Sequence, residues 1–368
     1  TTPDGSEVEH VEQVQPDYIA QQLHSQIVAN FGSVVNAYIQ GTYVFLEKID
    51  PNDTSQLTVT SGSGTLYIKT SGASSIRQET DLPRRLPNQA NNVVVKTGLE
   101  GAPTYYRYEA STARWIETSA YDSVDRIENA PIEVFFDAYE DKWVIDDSPW
   151  LGRLSGDDIT NPDPDFVDWG ITGIGAYQGR MVILTGPWVW LSATNKPRQF
   201  YRTTVDSLLD TDPIGVGSSS VSSAAFHYAI PFNKDLILFS SEYQALIPGG
   251  SRTLTPGNTS VVVTSTYSAD MNTPPVTLGH SVVYSTPRSS THFGVLEMLT
   301  SPYTDSQYIS SDATEHIPRY LPGRCRFVVS SSVANIAVFG STTDRRALYV
   351  HEYMWSGDEK VLSSWHRW

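Results

Sequence analysis

The sequence predicts a mainly β protein in which a β-propeller-like domain is preceded by a small α+β, β-rich domain with one clear helix. Three observations carry this reading. Most of the chain consists of short runs rich in Val, Ile, Thr and Tyr, broken by clusters of Gly, Pro, Asn, Asp and Ser. Only one stretch has helical spacing. Strand clusters then recur near Ile171, Ala225, Leu278 and Cys325, about 50 residues apart, the period expected of four-stranded propeller blades.

The helix is predicted at about residues 16–31, where Ile19, Leu23 and Ile27 recur every four residues and are joined by Ala20 and Phe31. Pro16 and Asp17 suit a first turn and Gly32 a stop. Strands follow at Tyr43-Val44-Phe45-Leu46, Leu66-Tyr67-Ile68-Lys69, Val93-Val94-Val95-Lys96 and Tyr105-Tyr106-Arg107-Tyr108. Prolines and acidic residues from Asp146 to Asp165 prevent regular structure, so a boundary is placed there, dividing the chain into 1–150 and 151–368.

Past the boundary each cluster holds three or four short strands. The first has Met181–Leu184 and Trp188–Leu191, the second Asp235–Phe239 and Tyr243–Ile247. The third has Ser281–Tyr284 and Gly294–Glu297, the fourth Phe327–Val329, Ile336–Phe339 and Ala347–Val350. About four blades fit, with a pair of β-sandwiches as the rival architecture. A ring needs its last strand to meet its first, so the chain is expected to be a piece of a longer protein, as its start at Thr1-Thr2-Pro3-Asp4-Gly5 without methionine also suggests.

Composition excludes several classes. The 368 residues include one cysteine, Cys325, so neither an internal disulfide nor a multi-cysteine zinc site can form. No segment reaches the roughly 18 apolar residues a membrane helix needs, and no stable membrane insertion is expected. Lys and Arg number 25 against 41 Asp and Glu, a net charge of −16. Residues 1–150 hold 22 acidic and 10 basic side chains, net −12; residues 151–368 hold 19 and 15, net −4. A groove that grips phosphates through many cations is therefore disfavoured.

No catalytic grouping is visible. Asp157, Asp158, Asp163, Asp165 and Asp168 are hard oxygen donors suited to Ca²⁺ or Mg²⁺, yet they lack calcium-loop spacing and prolines interrupt them. Capping and turn formation is the plainer role. Paired carboxylates for glycoside cleavage cannot be picked out, and the Ser-x-Asp-x-Gly-x-x-Trp signature of propeller sialidases is absent. Ser61-Gly62-Ser63-Gly64 fails the nucleophile-elbow register, His-Glu-x-x-His and a phosphate cradle are missing, and Cys325 reads as a packed strand residue. Arg84-Arg85 and Arg345-Arg346 are of a type that touches phosphates, and Trp188, Trp190, Trp365 and Trp368 of a type that stacks on bases; without a basic field, surface ion pairs and core aromatics are the expected roles.

An ordered set of motifs resembles the tail tubular protein B family, the nozzle proteins of short-tailed, T7-like bacteriophages. In order these are Thr2-Pro3-Asp4-Gly5, Asp81-Leu82-Pro83, the Tyr105-Tyr106 to Trp115-Ile116-Glu117-Thr118 hairpin, and Arg153 with Gly156-Asp157-Asp158 and Thr160-Asn161-Pro162 to Phe166. They continue with Asp212-Pro213-Ile214, Phe239-Ser240-Ser241 to Gln244, Leu254-Thr255-Pro256, His316-Ile317-Pro318 to Tyr320, and Trp365 to Trp368. The chain departs from the family pattern at Asp165, where a serine is usual, and at Gly179-Arg180-Met181, where Asn-Arg-Leu is usual.

The resemblance implies a protein about twice this length, with a platform domain corresponding to residues 1–150 and a propeller that includes 151–368. It implies a structural virion protein of the tail with no enzymatic activity and no cofactor, assembled as a hexamer below an adaptor protein, with tail fibres as a further candidate partner. Genomic duplex DNA would be retained in its lumen and ejected through it without specific binding. Duplex DNA carries one charge per roughly 1.7 Å, so an acidic lumen would keep it centred, and part of the −12 excess is expected to face the channel or the adaptor. The Asp146 to Asp168 stretch is the expected place of rearrangement when the tail opens. Receptor binding and polysaccharide hydrolysis are the alternatives.

Overall fold

The computed structural model describes residues 14–50, 57, 59, 76–121, 127, 130–146, 150–218, 224–250, 253–301, 307–357 and 359–368. The expected strand at 66–69 and the motifs at 2–5 and 61–64 lie outside them. The chain is mainly β, and its Cα positions group into two compact units. The first comprises Thr1–Asp125, Arg153–Pro162 and Thr203–Ser207; the second comprises Arg126–Gly152, Asp163–Arg202 and Leu208–Trp368.

In the first unit, helix α1 (Pro16–Phe31) matches the predicted span, with proline in its first turn. It packs on the hairpin of β1 (Val35–Gln40) and β2 (Tyr43–Lys48), with His24 Nε2 3.1 Å from the Ala37 carbonyl oxygen. Gly41, at φ +57, opens the two-residue loop between these strands, where a positive φ is required. A three-stranded antiparallel sheet follows, made of β3 (Val94–Leu99), β4 (Ala102–Glu109) and β5 (Arg114–Thr118). Trp115 Nε1 donates to the Pro83 carbonyl at 2.8 Å, and Asp81 accepts from the Arg77 and Gln78 amides at 3.2 Å each. The Asp81-Leu82-Pro83 motif is thereby a turn fastened to the sheet.

The second unit opens with the hairpin of β6 (Glu133–Asp137) and β7 (Lys142–Asp146), followed by the short helix α2 (Phe166–Trp169). Four antiparallel meanders of four strands then succeed one another. Sheet 1 holds β8 (Gly173–Tyr177), β9 (Arg180–Thr185), β10 (Trp188–Leu191) and β11 (Ile214–Gly217). Sheet 2 holds β12 (Phe226–Phe232), β13 (Asp235–Ser240), β14 (Gln244–Ile247) and β15 (Val262–Ser265). Sheet 3 holds β16 (Val276–Thr277), β17 (Ser281–Pro287), β18 (Phe293–Thr300) and β19 (Tyr308–Asp312). Sheet 4 holds β20 (Cys325–Ser331), β21 (Ile336–Ser341), β22 (Leu348–Ser356) and β23 (Glu359–Arg367). Their first strands begin within two residues of the predicted cluster starts at 171, 225, 278 and 325.

The sheets stack in a row with a separate apolar core in each gap. Successive strand residues point to opposite faces. Val182, Leu184, Leu236 and Leu238 fill the gap between sheets 1 and 2, while Ile237, Phe239, Val282 and Tyr284 fill the gap between sheets 2 and 3. Val283, Val295, Ala337 and Phe339 lie between sheets 3 and 4. This explains why Leu236-Ile237-Leu238-Phe239 is an unbroken apolar run: β13 is buried on both faces, and each side chain contributes about 2 kcal/mol.

Tyrosine hydroxyls fasten each sheet to the next. Tyr177 donates to the Lys234 carbonyl at 2.5 Å, Tyr308 to Asp235 Oδ2 at 2.9 Å and Tyr353 to the Leu278 carbonyl at 3.2 Å. Burial and the Asp235 carboxylate hold the Tyr308 phenol well above its ordinary range, and burial pushes Tyr284 up to about 12. Gly249 sits where two of these elements meet. A Cβ there would stand 1.8 Å from the Lys234 carbonyl oxygen and 2.0 Å from the Tyr177 hydroxyl. Gly249→Ala is expected to cost about 2–3 kcal/mol by forcing the backbone apart; a thermal midpoint unchanged from the parent would contradict this close packing.

Candidate functional site

The motif residues from Arg153 to Phe166 divide between the two units. Arg153 to Asn161 form a loop beside the end of β5. The Gly156 amide donates to the Thr118 carbonyl at 3.2 Å, and the Ala120 amide to the Gly156 carbonyl at 2.8 Å, a short parallel bridge. Gly156 has φ +74, and a Cβ would meet Thr160 Oγ1 at 2.5 Å and Val205 Cγ1 at 2.7 Å, so only glycine fits.

Asp157 organises the turn that follows. Its Oδ1 accepts from the Ile159 and Thr160 amides at 3.0 Å each and from the Thr160 hydroxyl at 3.1 Å, while its Oδ2 accepts from Tyr105 at 3.0 Å. Partial burial works against the charged carboxylate, but the donors from Thr160, Ile159 and Tyr105 outweigh it and lower its pKa. Arg153, with a side chain 1% exposed, reaches Asp158, 76% exposed, at 2.7 Å. Asn161 Nδ2 closes the loop on the Ser155 carbonyl at 2.9 Å. Pro162 ends the segment.

Asp163 and Asp165 belong to the second unit and have other work. Asp163 accepts from the Tyr201 hydroxyl at 2.6 Å, and Asp165 accepts from Trp190 Nε1 at 3.0 Å. Phe166 packs edge-on to Phe200 and Trp190, with centroids 5.1 and 6.4 Å away, in the core that covers the free face of sheet 1. Among the described residues no group of three or more His, Cys, Asp or Glu is placed to hold a metal ion.

Two further contacts in the first unit carry no sequence signal that singles them out. Glu117 accepts from the Val205 amide at 2.7 Å and from the Thr204 hydroxyl, and Tyr106 donates to Asp206 at 3.0 Å. Burial and the Asp206 bond raise the Tyr106 pKa far above its ordinary value. The partners lie 87 to 100 residues apart in the chain. Glu117 and Tyr106 both fall within one motif of the resemblance, the Tyr105-Tyr106 to Thr118 hairpin, which is the hint the sequence offers.

Two of those motifs meet at one buried group. Arg180 donates to the carbonyls of Ser192, Asp212 and Asp210 at 2.7, 2.7 and 3.0 Å and of Leu254 at 3.2 Å. It thus gathers Asp212-Pro213-Ile214 and Leu254-Thr255-Pro256. Gln244, fully buried, donates to the Tyr267 carbonyl at 2.9 Å and accepts from Ser265 at 2.5 Å. Trp365 stacks on His351 at 4.8 Å and packs on Phe339 at 5.4 Å. Trp188 and Trp190 lie over Gly217 and Gly215 of the neighbouring strand, whereas Trp368, Arg84, Arg85, Arg345 and Arg346 are exposed. Cys325 is buried in the core between sheets 3 and 4, and burial pushes its thiol up to about 12, which removes the thiolate a nucleophile needs.

The motif residues described above act as turn formers and inter-strand fasteners. A family model, Bacteriophage nozzle protein, matches residues 1–368, and the chain belongs to that family, whose members are structural components of the phage virion tail. The tail tubular protein gp12 of Escherichia phage T7 is 27% identical over 378 residues, an alignment covering all of this chain and 46% of that protein. The chain thus spans about half the length of the curated relative it matches. Among solved structures, Hsv2 of Kluyveromyces lactis has a TM-score of 0.32 at 8% identity, covering 68% of this chain and 56% of that one. The Nup170–Nup53 complex of Chaetomium thermophilum gives 0.32 at 13%, covering 52% and 28%. Likenesses this weak carry no argument.

Asp157→Ala tests the loop. Losing an acceptor with four donors is expected to cost about 1–3 kcal/mol, with Asp157→Asn in between. The group's folded pKa lies below its unfolded value, so its contribution is present above pH 4 and fades as the pH falls through the folded pKa. Urea unfolding at pH 7 and pH 3 measures both effects; an equal deficit at the two values would contradict the role of the ionised carboxylate.

Proposed function

We propose that this chain forms part of a ring or tube, the nozzle of a phage tail, through which duplex DNA is retained and then ejected. The family match over residues 1–368 carries the reading. The charge supports it: at net −16 the protein has little to offer phosphates as a sink, and acidic walls let DNA pass without the counterion release that would hold it. The chain acts by shape and cohesion, not by catalysis.

In this proposal residues 1–150 are mainly platform and 151–368 supply propeller blades, with the four successive meanders as the supporting observation. The assembly is a homo-hexamer, below a tail adaptor protein, and tail fibres attach nearby. A closed ring is built from heterologous contacts, one patch meeting a different patch on the next copy.

The test is electron microscopy of intact particles labelled with an antibody against this chain. Label on the lower tail, in the path of the DNA, is the expected result. Label on peripheral spikes would reject the conduit and favour receptor binding or glycan cleavage. Hydrogen exchange tests the opening step: residues 153–162 are expected to exchange faster in emptied than in sealed particles, and identical rates would remove this loop from the mechanism.

A further inference from the structure

The β6–β7 hairpin has the sequence of strands covered on both faces, yet Val134, Phe135, Phe136, Trp143 and Ile145 are all exposed. Val134-Phe135-Phe136 lies opposite Trp143-Val144-Ile145 across the pair. Alternate residues point to opposite sides, so Val134, Phe136, Trp143 and Ile145 make one apolar face and Phe135 with Val144 the centre of the other. Trp143 and Ile145 are 70% and 67% exposed. Elsewhere in this unit such unbroken apolar runs are buried completely, as in Val182-Ile183-Leu184 of β9, Leu236-Ile237-Leu238-Phe239 of β13 and Val282-Val283-Tyr284 of β17. The edges are bare as well: among the described residues β6 and β7 pair only with each other. A two-stranded sheet is marginal in water on its own, and its unpaired amides and carbonyls are a template for a further strand.

The hairpin springs from the core that covers the outer face of sheet 1. Ala130 and Trp150, on either side of it in the chain, pack in that core with Phe166, Ile183 and Phe200. Trp150 Nε1 donates to the Pro131 carbonyl at 2.6 Å. Glu133, on the Phe135 side of the hairpin, pairs with Arg198, so that side turns toward sheet 1 and the Trp143 side away from it. A cleft of about 160 Å³ remains at the hairpin's base, lined by Ile132 and Trp150 and by Ile174, Met181 and Ile183 of sheet 1. The hairpin thus stands at sheet 1's end of the row, while sheet 4 ends the row at the other.

We infer that this hairpin is half of the sheet that closes the propeller. Strands of the same chain lying outside residues 1–368 pair with its free edge, and the sheet before them in the ring packs on its Trp143 face. The inference rests on the propeller reading above and names the segment at which the ring is joined. Among the described residues of the second unit, four sheets are each built from one continuous stretch of four strands, and the hairpin alone has two. A ring of sheets needs one member that meets both sheet 4's end and sheet 1's end, and pairing across the join removes the last free edge. Length supplies the occupant: the T7 relative is matched over 46% of its own sequence, so more than half of it lies outside the match.

Photocrosslinking of the full-length protein tests it. The photoreactive amino acid p-benzoylphenylalanine takes the place of Trp143 or, in case its bulk disturbs that site, of Phe136 on the same face. Each protein is mixed before assembly with an excess of isotopically heavy parent, so that light–light products mark contacts within one copy and light–heavy products contacts between copies. A light–light product from either probe, with its second peptide outside residues 1–368, is the expected result. Products that are light–heavy, products confined to residues 1–368, or the absence of any product overturn the inference. Ile145→Asp is near neutral on a bare surface; in the closed sheet it buries a charge and is expected to lower the thermal midpoint of the full-length protein by about 5 °C or more, and an unchanged midpoint counts against closure. A third probe at Leu348, on the face of sheet 4 opposite the Tyr349 and Tyr353 core, keeps two failures apart. If it reaches sequence outside residues 1–368 in the same copy while the hairpin probes do not, the propeller stands and is closed elsewhere; if none of the probes does, the propeller reading falls too.

Discussion

Replacing Arg180 with methionine is expected to destabilise the protein by about 3–5 kcal/mol, the range for removing one partner of a buried charged network. Arg180 is 2% exposed and supplies donors to four carbonyl oxygens from three separate stretches of chain, at Ser192, at Asp210 with Asp212, and at Leu254. Methionine fills much of the volume but takes the donor away from the buried oxygens of Ser192, Asp212 and Leu254, each of which costs free energy there. Burial also pulls the guanidinium pKa down, opposed by the neighbouring Asp212 carboxylate, itself fully buried.

Arg180→Lys separates charge from geometry. Lysine keeps the charge, but a compact ammonium with three donors cannot span the fork that joins four carbonyls. It is expected to recover less than half of the loss. Urea unfolding of the parent and both variants measures this, and a methionine variant within 1 kcal/mol of the parent would refute the hub.

Stability is expected to fall by about 3 kcal/mol between pH 6.5 and pH 4 through one residue, His351, over and above the titration of carboxylates. Its ring is fully buried, stacked on Trp365 and 3.0 Å from the Ser363 hydroxyl. Burial, with Lys360 adding to it, lowers its pKa to about 4 from an ordinary 6.5; Glu297 opposes the shift and His316 adds to it. Glu297 is itself held by Lys360 and by Ser281, which donates at 2.7 Å.

Between pH 6.5 and 4 the unfolded chain binds a proton that the folded one refuses. Stability is therefore full above the unfolded value, declines as the pH falls, and declines no further from this source below the folded one. His351→Gln retains a hydrogen-bonding group for Ser363 and has no proton to take up. It should be less stable than the parent at pH 7.5, through loss of the stack on Trp365, and close much of that gap by pH 4. Thermal midpoints of the two proteins across this range decide the matter; a gap that stays constant would show that His351 does not titrate in this window.

The elements themselves were legible because their signals are local. The four-residue spacing of Ile19, Leu23 and Ile27 with Pro16 ahead of it defines α1, and the recurrence of strand clusters near 171, 225, 278 and 325 defines four successive sheets. The strand at Asp235–Phe239 was legible as well, while its burial between two sheets came from the structure. The motifs of the resemblance were visible as strings, and the family match agrees with them over the whole chain.

Their work was not legible, since it depends on partners far away in the chain. The carboxylates of Asp157, Asp163 and Asp165 looked alike in sequence, but one caps a turn beside Tyr105, one accepts from Tyr201 and one from Trp190. Nothing local says that Glu117 will hold residues 204–205, or that segments 153–162 and 203–207 return to the first unit.

By itself, then, the sequence determined the class, the strands and their grouping, because apolar periodicity, turn residues and net charge act over a few neighbouring residues. Only the tertiary structure decided which polar groups are buried together, as at Arg180 and His351, and which surfaces are left bare, as on the β6–β7 hairpin. The physical reason is that burial and hydrogen-bond pairing belong to positions in space: the same arginine, histidine or carboxylate is a solvated surface group or a buried fastener according to what distant chain folds against it.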